Sequence, residues 1–388
     1  KMDDPKTVGL TLFGIAAYSF FYARLVAKPL VLAGNDEIKE LMKQVPALNS
    51  VYFPPPYLWH ADFQLIPYTL KGMWYKHYPN SKWYRQMVRL TDGEEIALDW
   101  VVSSSGMAVD GLPSDPEDET PVLMLHHGAF CNSADMPGQD YVQEALRRGW
   151  FVCALNRRGH AGPLTRPKWN FFGCPDDVHC VTQSILQRRP KAKLFTIGLS
   201  AGSGLVATVF GKGDAVNDFH AGVCVCPGFD ITKCMGRFAN FYADMLLKHG
   251  KKFFLKVNKA LLEHLPGYHD CLGATDLQEW IDHAYAMAGC ESKEHYYDTY
   301  NPVNYVYQST RPVLSICSEN DPLCVVENFY DNQHRMESCN SPVGSILTKT
   351  GSHLPFYEGL FLGNWAEKVS FQFFDAYLQR EEAKLSSG

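Results

Sequence analysis

The sequence has no surplus of positive charge, no metal-binding cysteine pattern, no glycosylation sequon and no internal repeat, and each absence narrows the reading. Lysine and arginine number 36 against 42 acidic residues, a formal net charge of −6, so no nucleic-acid partner is expected. The 12 cysteines follow no regular spacing, and no Cys-x-x-Cys pair lies near histidines. A structural zinc site is therefore not expected, and no metal or cofactor is assigned. Mostly free, buried thiols and the lack of any Asn-x-Ser/Thr favour a cytosol-facing setting. No Gly-rich phosphate loop and no strongly basic run stands beside the sequence motifs, so no dedicated coenzyme A site is read. What is present is an ordinary globular composition: 388 residues, 46% hydrophobic and 13% aromatic, enough for one large α/β domain or two smaller ones.

The most apolar stretch is residues 7–27, about long enough to span a bilayer core as a helix. Arg24 near one end can snorkel, and Tyr18 and Tyr22 suit an interface. A signal peptide fits poorly, because Asp3 and Asp4 stand beside Lys1 and Lys6. The expectation is a single-pass N-terminal membrane anchor over residues 1–28, in a membrane such as the endoplasmic reticulum; a helix packed on the domain is the alternative. Residues 29–388 then form the main domain. Its first part holds a short helical pattern at 37–44 and an aromatic, proline-rich run, 52–59, that lies on the surface or lines a substrate entrance. Asp92-Gly93 between two apolar runs predicts a hairpin over 85–102, and 103–120 reads as an acidic surface loop.

Beyond that point, buried strands and helices alternate, which implies a mostly parallel central sheet with helices on both faces. The strands are expected at 121–126, 150–155, 194–197, 221–226, 311–317 and 344–348, with a closing helix at 364–378. The rhythm breaks between about 229 and 306, where helical patterns at 238–249, 252–264 and 276–288 suggest a helical cap over the catalytic edge.

The chemistry gathers on three residues. Gly198-Leu199-Ser200-Ala201-Gly202 fits Gly-x-Ser-x-Gly between a strand and a helix, a sharp turn that lifts the serine hydroxyl clear of the sheet. The backbone N–H of Ala201 can then face an oxyanion. His127-Gly128 ends the strand at 121–126, so the second N–H would come from Ala129 or Phe130. Ser200, Asp321 and His353 follow in the order Ser, acid, His, each just past a predicted strand, the chain order of the α/β-hydrolase fold. A histidine must take the serine's proton, and a carboxylate must hold that histidine in the right tautomer. Asp230 and Glu319 are competing acids. His126, His127 and His160 are competing bases, although none follows the last strand.

Together these blocks resemble the membrane-anchored α/β-hydrolase-domain lipase and acyltransferase family, the type 4 group of the AB hydrolase superfamily. The similar blocks are Leu90-Thr-Asp-Gly-Glu-Glu-Ile-Ala-Leu-Asp-Trp100, His127-Gly-Ala, Asn156-Arg-Arg-Gly-His160 with Leu164-Thr-Arg-Pro167, Gly198-Leu-Ser-Ala-Gly202, Tyr296-Tyr297 before Asn301-Pro302, Asp321-Pro322 and Gly351-Ser-His353. The resemblance implies Ser200 as nucleophile, Asp321 as acid and His353 as base, acting on a lipid or fatty-acyl ester at a membrane. The sequence departs from the family at Ser203 and Ser352, where glycine is usual. The leading expectation is a serine hydrolase of lipid acyl esters. An acyltransferase using the same acyl-enzyme and a lipid-binding receptor or scaffold are the alternatives, and no oligomeric state is read.

Overall fold

The computed structural model describes residues 5–77, 81–101, 112–134, 138–212 and 214–387. The first half of the loop expected at 103–120, together with the last residue of the expected hairpin, falls at 102–111, outside the described residues. Among the described residues nine strands form one sheet: β1 Leu30–Ala33, β2 Trp83–Arg89, β3 Glu95–Val101, β4 Val122–His126, β5 Phe151–Asn156, β6 Leu194–Leu199, β7 Phe219–Val225, β8 Val313–Ser318 and β9 Val343–Thr348. Their order is β1-β9-β8-β7-β6-β4-β5-β3-β2. From β5 through β4, β6, β7 and β8 to β9 every pairing is parallel. Those six strands are almost wholly buried, as strands covered on both faces must be. The hairpin β2–β3 turns at Gly93, whose φ of 84° suits glycine, and joins β5 antiparallel.

Helices Asp36–Lys43, Gln139–Arg147 and Trp365–Ser387 cover one face, burying Ile38, Tyr141, Phe371 and Phe374. Helices Pro175–Leu186 and Ala201–Gly211 cover the other with Val178, Val181, Leu205 and Phe210. This is the α/β-hydrolase fold, with a mostly parallel sheet between two helical layers. The sequence reading missed β1. It is four residues long and pairs antiparallel with β9, Leu30 opposite Leu347, so only the tertiary contact makes it a strand.

The expected membrane anchor is not supported: no helix among the described residues is long and apolar enough to cross a membrane. The helix Pro5–Ala23 ends before the apolar stretch does. Its part beyond residue 7 rises about 25 Å at 1.5 Å per residue, short of a hydrocarbon core of about 30 Å. The chain then turns, and Ala27 forms an isolated bridge with Tyr52. The last turns of the helix rest on the aromatic run: Tyr22 Oη donates to the Pro54 carbonyl at 2.5 Å, Tyr18 Oη to that of Pro56, and Phe21 meets Trp59 edge-on.

Between β7 and β8 the chain forms short helices, among them Asn240–Gly250, Tyr268–Gly273 and Leu277–His283. Their core holds Trp169, Phe254, Trp280 and Tyr296. The helix expected at 252–264 is instead a π-helical turn, Lys251–Lys256, and a short helix, Lys259–Leu262. Buried Asn258 lies at the break. Its amide donates to the Phe254 carbonyl at 2.9 Å and accepts the Leu164 N–H at 2.8 Å, a tertiary contact that competes with regular winding.

The turn at Ser200 depends on the absence of side chains beside it. A Cβ on Gly198 would lie 2.4 Å from the Gly202 carbonyl oxygen, and one on Gly202 would lie 2.4 Å from that of His126. Gly202→Ala is therefore expected to lower stability by at least about 2 kcal/mol, read as a fall in Tm. Gly273→Ala, whose Cβ would meet nothing within 4 Å, is the control and should leave Tm essentially unchanged. Equal melting of the two variants would refute the close-approach argument.

Candidate active site

Ser200 sits between β6 and helix Ala201–Gly211 with φ 54°, a left-handed conformation that costs a side-chain-bearing residue energy. The surrounding backbone holds it there. Its N–H donates to the Val225 carbonyl at 3.0 Å, and its own carbonyl accepts the Ser203 N–H at 2.9 Å. Ser203, one of the departures from the family pattern, also turns its hydroxyl onto that carbonyl.

The loops after β8 and β9 bring the other two residues together. His353 Nε2 lies 2.7 Å from Ser200 Oγ, and His353 Nδ1 lies 3.0 and 3.1 Å from the two carboxylate oxygens of Asp321. Asp321 and His353 are both buried. Burial by itself would raise the Asp321 pKa. The charge and hydrogen bond of His353 and the N–H groups of Leu323 and Cys324, at 2.8 and 2.9 Å, outweigh it and hold the carboxyl below its ordinary value. The two loops are tied directly: Asn320 Oδ1 accepts the Gly351 N–H at 3.0 Å, and Asn320 Nδ2 donates to Thr350 Oγ1 at 3.2 Å. Behind them Cys226 Sγ accepts the Leu354 N–H at 3.3 Å. Ser352, the second departure, is fully buried with its hydroxyl unpartnered.

The competing residues lie elsewhere. Asp230 caps a short helix, accepting the Thr232 N–H at 3.0 Å and the Asn301 amide at 2.8 Å. Glu319 pairs with Lys349 at 2.5 Å on the surface. Burial holds the imidazoles of His126, His127 and His160 well below their ordinary pKa, with Arg157 adding to the effect. Among the described residues none of the three has a serine hydroxyl as hydrogen-bond partner. Cys226, Asp321 and His353 have ligand atoms within 4.8 Å of one another, the one such group among the described residues. Burial pushes the Cys226 thiol pKa up, so it stays protonated, and the other two bond to each other. The set suits acid–base chemistry better than a metal.

Ser200 and His353 open into a cavity of about 790 Å³, within the usual range for small-molecule sites. Gly128, Ala129 and Ala201 line it beside the serine, and Phe171, Phe238 and Leu246 contribute to its apolar wall. Of the two candidate donors from the loop after β4, Ala129 faces this cavity. Phe130, with φ 56°, turns its ring among Phe171, Phe254 and Trp280.

One wall was not read from the sequence. Helix Ala61–His77 supplies Phe63, Ile66 and Leu70 to the cavity. Their spacing of three and four is helical, but Pro67 inside the run disguised it. Tyr242 Oη, from the helix Asn240–Gly250, donates to Asp62 Oδ1 at 2.7 Å and joins the two walls.

The family model described as serine aminopeptidase, S33 (Hydrolase_4) matches residues 117–340. Human protein ABHD15 is 25% identical over 375 residues, covering 91% of this chain and 73% of its own. Human phospholipase ABHD3 is 22% identical, covering 96% of this chain and 91% of its own. Zebrafish (Danio rerio) monoacylglycerol lipase ABHD2 is 24% identical over 368 residues, covering 89% and 82%. Among solved structures, a puromycin hydrolase superposes with a TM-score of 0.51 at 15% identity, over 77% of this chain and 39% of that one. At 15% identity the likeness extends to the fold alone, and this chain spans about two-fifths of that structure.

Asp321→Asn is expected to lower kcat by about 10⁴, because a neutral amide leaves the histidine in the wrong tautomer. Asp230→Asn should be mild. The reverse ranking would move the acid to Asp230. The depressed Asp321 pKa also sets a sign for stability. Its contribution is complete above the ordinary carboxylate range and is lost as pH falls through the folded value. The Tm difference between wild type and Asp321→Asn should therefore shrink on acidification.

Proposed function

The chain belongs to the Hydrolase_4 family described as serine aminopeptidase, S33, and from that membership we propose that it cleaves acyl esters of lipids through an acyl-Ser200 intermediate. The observation that carries this reading is the unbroken hydrogen-bonded series Asp321, His353, Ser200, ending in an apolar cavity. The names of the lipase and phospholipase relatives favour the same substrate class.

In this reading Ser200 Oγ attacks the ester carbonyl while His353 Nε2 takes its proton. Asp321 orients the imidazole and stabilises its cation. The N–H groups of Ala201 and Ala129 receive the oxyanion. His353 then gives the proton to the departing alcohol oxygen. Water, deprotonated by the same nitrogen, releases the fatty acid and restores Ser200. The acyl chain occupies the cavity. Among the described residues no lysine or arginine lines it, so no cation stands there to pair with a negatively charged substrate group. Ile66, Leu70, Phe241 and Met245 line the cavity and are exposed, which suits contact with the lipid aggregate that presents the ester.

An aminopeptidase reading follows from the family's description, but it needs a carboxylate to hold the substrate's amine. The one carboxylate lining the cavity among the described residues, Asp62, is bonded to the Tyr242 hydroxyl and lies on a helix, Ala61–His77, rather than on a loop beside Ser200. Transfer to an alcohol shares the acyl-enzyme and differs in the acceptor that His353 deprotonates.

Ser200→Ala should abolish fluorophosphonate labelling and ester turnover while the fold survives. The wild type should cleave long-chain monoacylglycerol and p-nitrophenyl esters, with aminoacyl-p-nitroanilides untouched. Labelling that persists in the variant would remove Ser200 from the mechanism. Preferential anilide cleavage would make the protein a peptidase, and new ester dominating over free acid at millimolar added alcohol would make it an acyltransferase.

A further inference from the structure

Adjacent arginines, Arg157 and Arg158, are both buried, and they are treated differently. Arg158 has the usual partners: it bonds both oxygens of Asp177 at 2.7 Å and Asp92 at 2.6 Å. Arg157 has no carboxylate within ion-pair distance among the described residues. Its Nη1 donates to the His127 carbonyl at 2.6 Å, its Nη2 to the Gly128 carbonyl at 2.9 Å, and its Nε is unpartnered. Its backbone N–H meets His127 Nε2 at 3.2 Å. Gly173, at φ 92°, makes room for it, since a Cβ there would stand 2.6 Å from Arg157 Cδ. Burying a cation without a counter-ion is costly. Burial pulls the Arg157 pKa down to about 9, so the group is still charged at neutral pH.

We propose that Arg157 is a positioning residue for the oxyanion site, holding the His127 and Gly128 carbonyls so that the Ala129 N–H faces Ser200. The proposal rests on the reading of Ser200 as nucleophile and Ala129 as donor. The link is peptide geometry. All described peptide bonds are trans, and in a trans peptide the C=O and the following N–H point in opposite directions. The Gly128 carbonyl is fixed on Arg157 Nη2 and lies 2.8 Å from His127 Nδ1. The Ala129 N–H in the same plane is thereby aimed the other way, toward the cavity that Ala129 and Ser200 share. Without the guanidinium, the His127 carbonyl would lose its Arg157 donor, the Gly128 carbonyl would keep only the His127 imidazole, and rotation of that peptide would put a carbonyl oxygen where the oxyanion forms. The planar fork spans two carbonyls, which a lysine ammonium reproduces poorly.

The test compares wild type, Arg157→Lys, Arg157→Met and Ser200→Ala on a p-nitrophenyl ester, alongside an alkyl trifluoromethyl ketone. Addition of Ser200 Oγ to the ketone carbonyl forms a hemiketal whose oxygen occupies the oxyanion site. In folded Arg157→Met we expect kcat to fall about 10²–10³-fold, as for loss of an oxyanion donor, with KM little changed. Ketone affinity should fall in parallel, and Arg157→Lys should recover part of both. A folded Arg157 variant with full kcat, or one impaired only in KM with ketone affinity intact, would overturn the proposal. A crystal structure of the wild-type adduct decides it even if no variant folds. The hemiketal oxygen must lie on the Ala129 N–H with Arg157 still on the Gly128 carbonyl; a Gly128 carbonyl turned into the cavity overturns it. Hydrolysis or ketone binding that survives Ser200→Ala would instead refute the nucleophile reading on which the proposal stands.

Discussion

Everything at the active edge depends on how closely helix Ala201–Gly211 approaches the end of β4. The helix reaches the sheet at Gly202, against the carbonyls of His126 and His127, with no space for a methyl group. That approach sets the left-handed turn at Ser200. It also places the first N–H of the helix beside the loop after β4. The register β4–β6–β7, in which His126 lies opposite Gly198 and Gly198 opposite Cys224, fixes the height of the turn along the sheet. The strain at Ser200 is sustained because three parallel strands and two glycines over-determine it.

The block Asn156-Arg157-Arg158 then serves one mechanical purpose from the end of β5. Asn156 Oδ1 accepts the Ser133 N–H at 2.8 Å, and its amide nitrogen donates to Asp99 Oδ2 at 3.0 Å, which anchors the far side of the β4 loop. Arg157 grips the near side at His127 and Gly128. Arg158, through Asp92 and Asp177, ties the block to the hairpin turn and to helix Pro175–Leu186. Two of these side chains thus hold the loop from two sides while the third anchors the block they come from, in a buried setting where hydrogen bonds to charged groups count for more. The catalytic groups of such a site need rigid support because a small displacement of an oxyanion donor removes most of its benefit.

What the sequence made legible was local chemistry joined to strong periodicity. Six apolar runs gave the parallel strands, and three motifs just past their ends gave Ser200, Asp321 and His353, which the fold brings into hydrogen-bond contact. What stayed hidden had no local signal. Strand β1 exists because it pairs with β9, and helix Ala61–His77 carries Pro67 in its middle. The apolar stretch 7–27 had the composition of an anchor, yet its helix stops at Ala23, and Tyr18 and Tyr22 direct their hydroxyls to proline carbonyls of the domain. Nothing local in the sequence indicated that Ala129 lines the cavity while the Phe130 ring packs among the aromatic residues beneath the inserted helices. Arg157 stood in the sequence only as part of the block Asn156-Arg-Arg-Gly-His160, because a carbonyl partner leaves no trace in the sequence.

The cavity wall bears on the fate of the acyl-enzyme. The polar groups nearest Ser200 are occupied: His353 by Asp321 and Ser200, the Gly128 carbonyl by Arg157, and the Ser203 hydroxyl by the Ser200 carbonyl. An acceptor alcohol held for transfer would need its own hydrogen-bond partners close to His353. The cavity lining includes Leu354, Leu323 and Phe229, which provide apolar side chains. Further out, Asp62 and Tyr242 bond to one another and close the gap between the helices that carry them. A wall of this kind orders an acyl chain through burial of methylene groups but leaves the second nucleophile unoriented. Water needs no such orientation to compete, since it is small, abundant and able to bond with His353 alone. The architecture therefore favours hydrolysis, with transfer arising only where a lipid alcohol is concentrated in the same aggregate that delivers the ester.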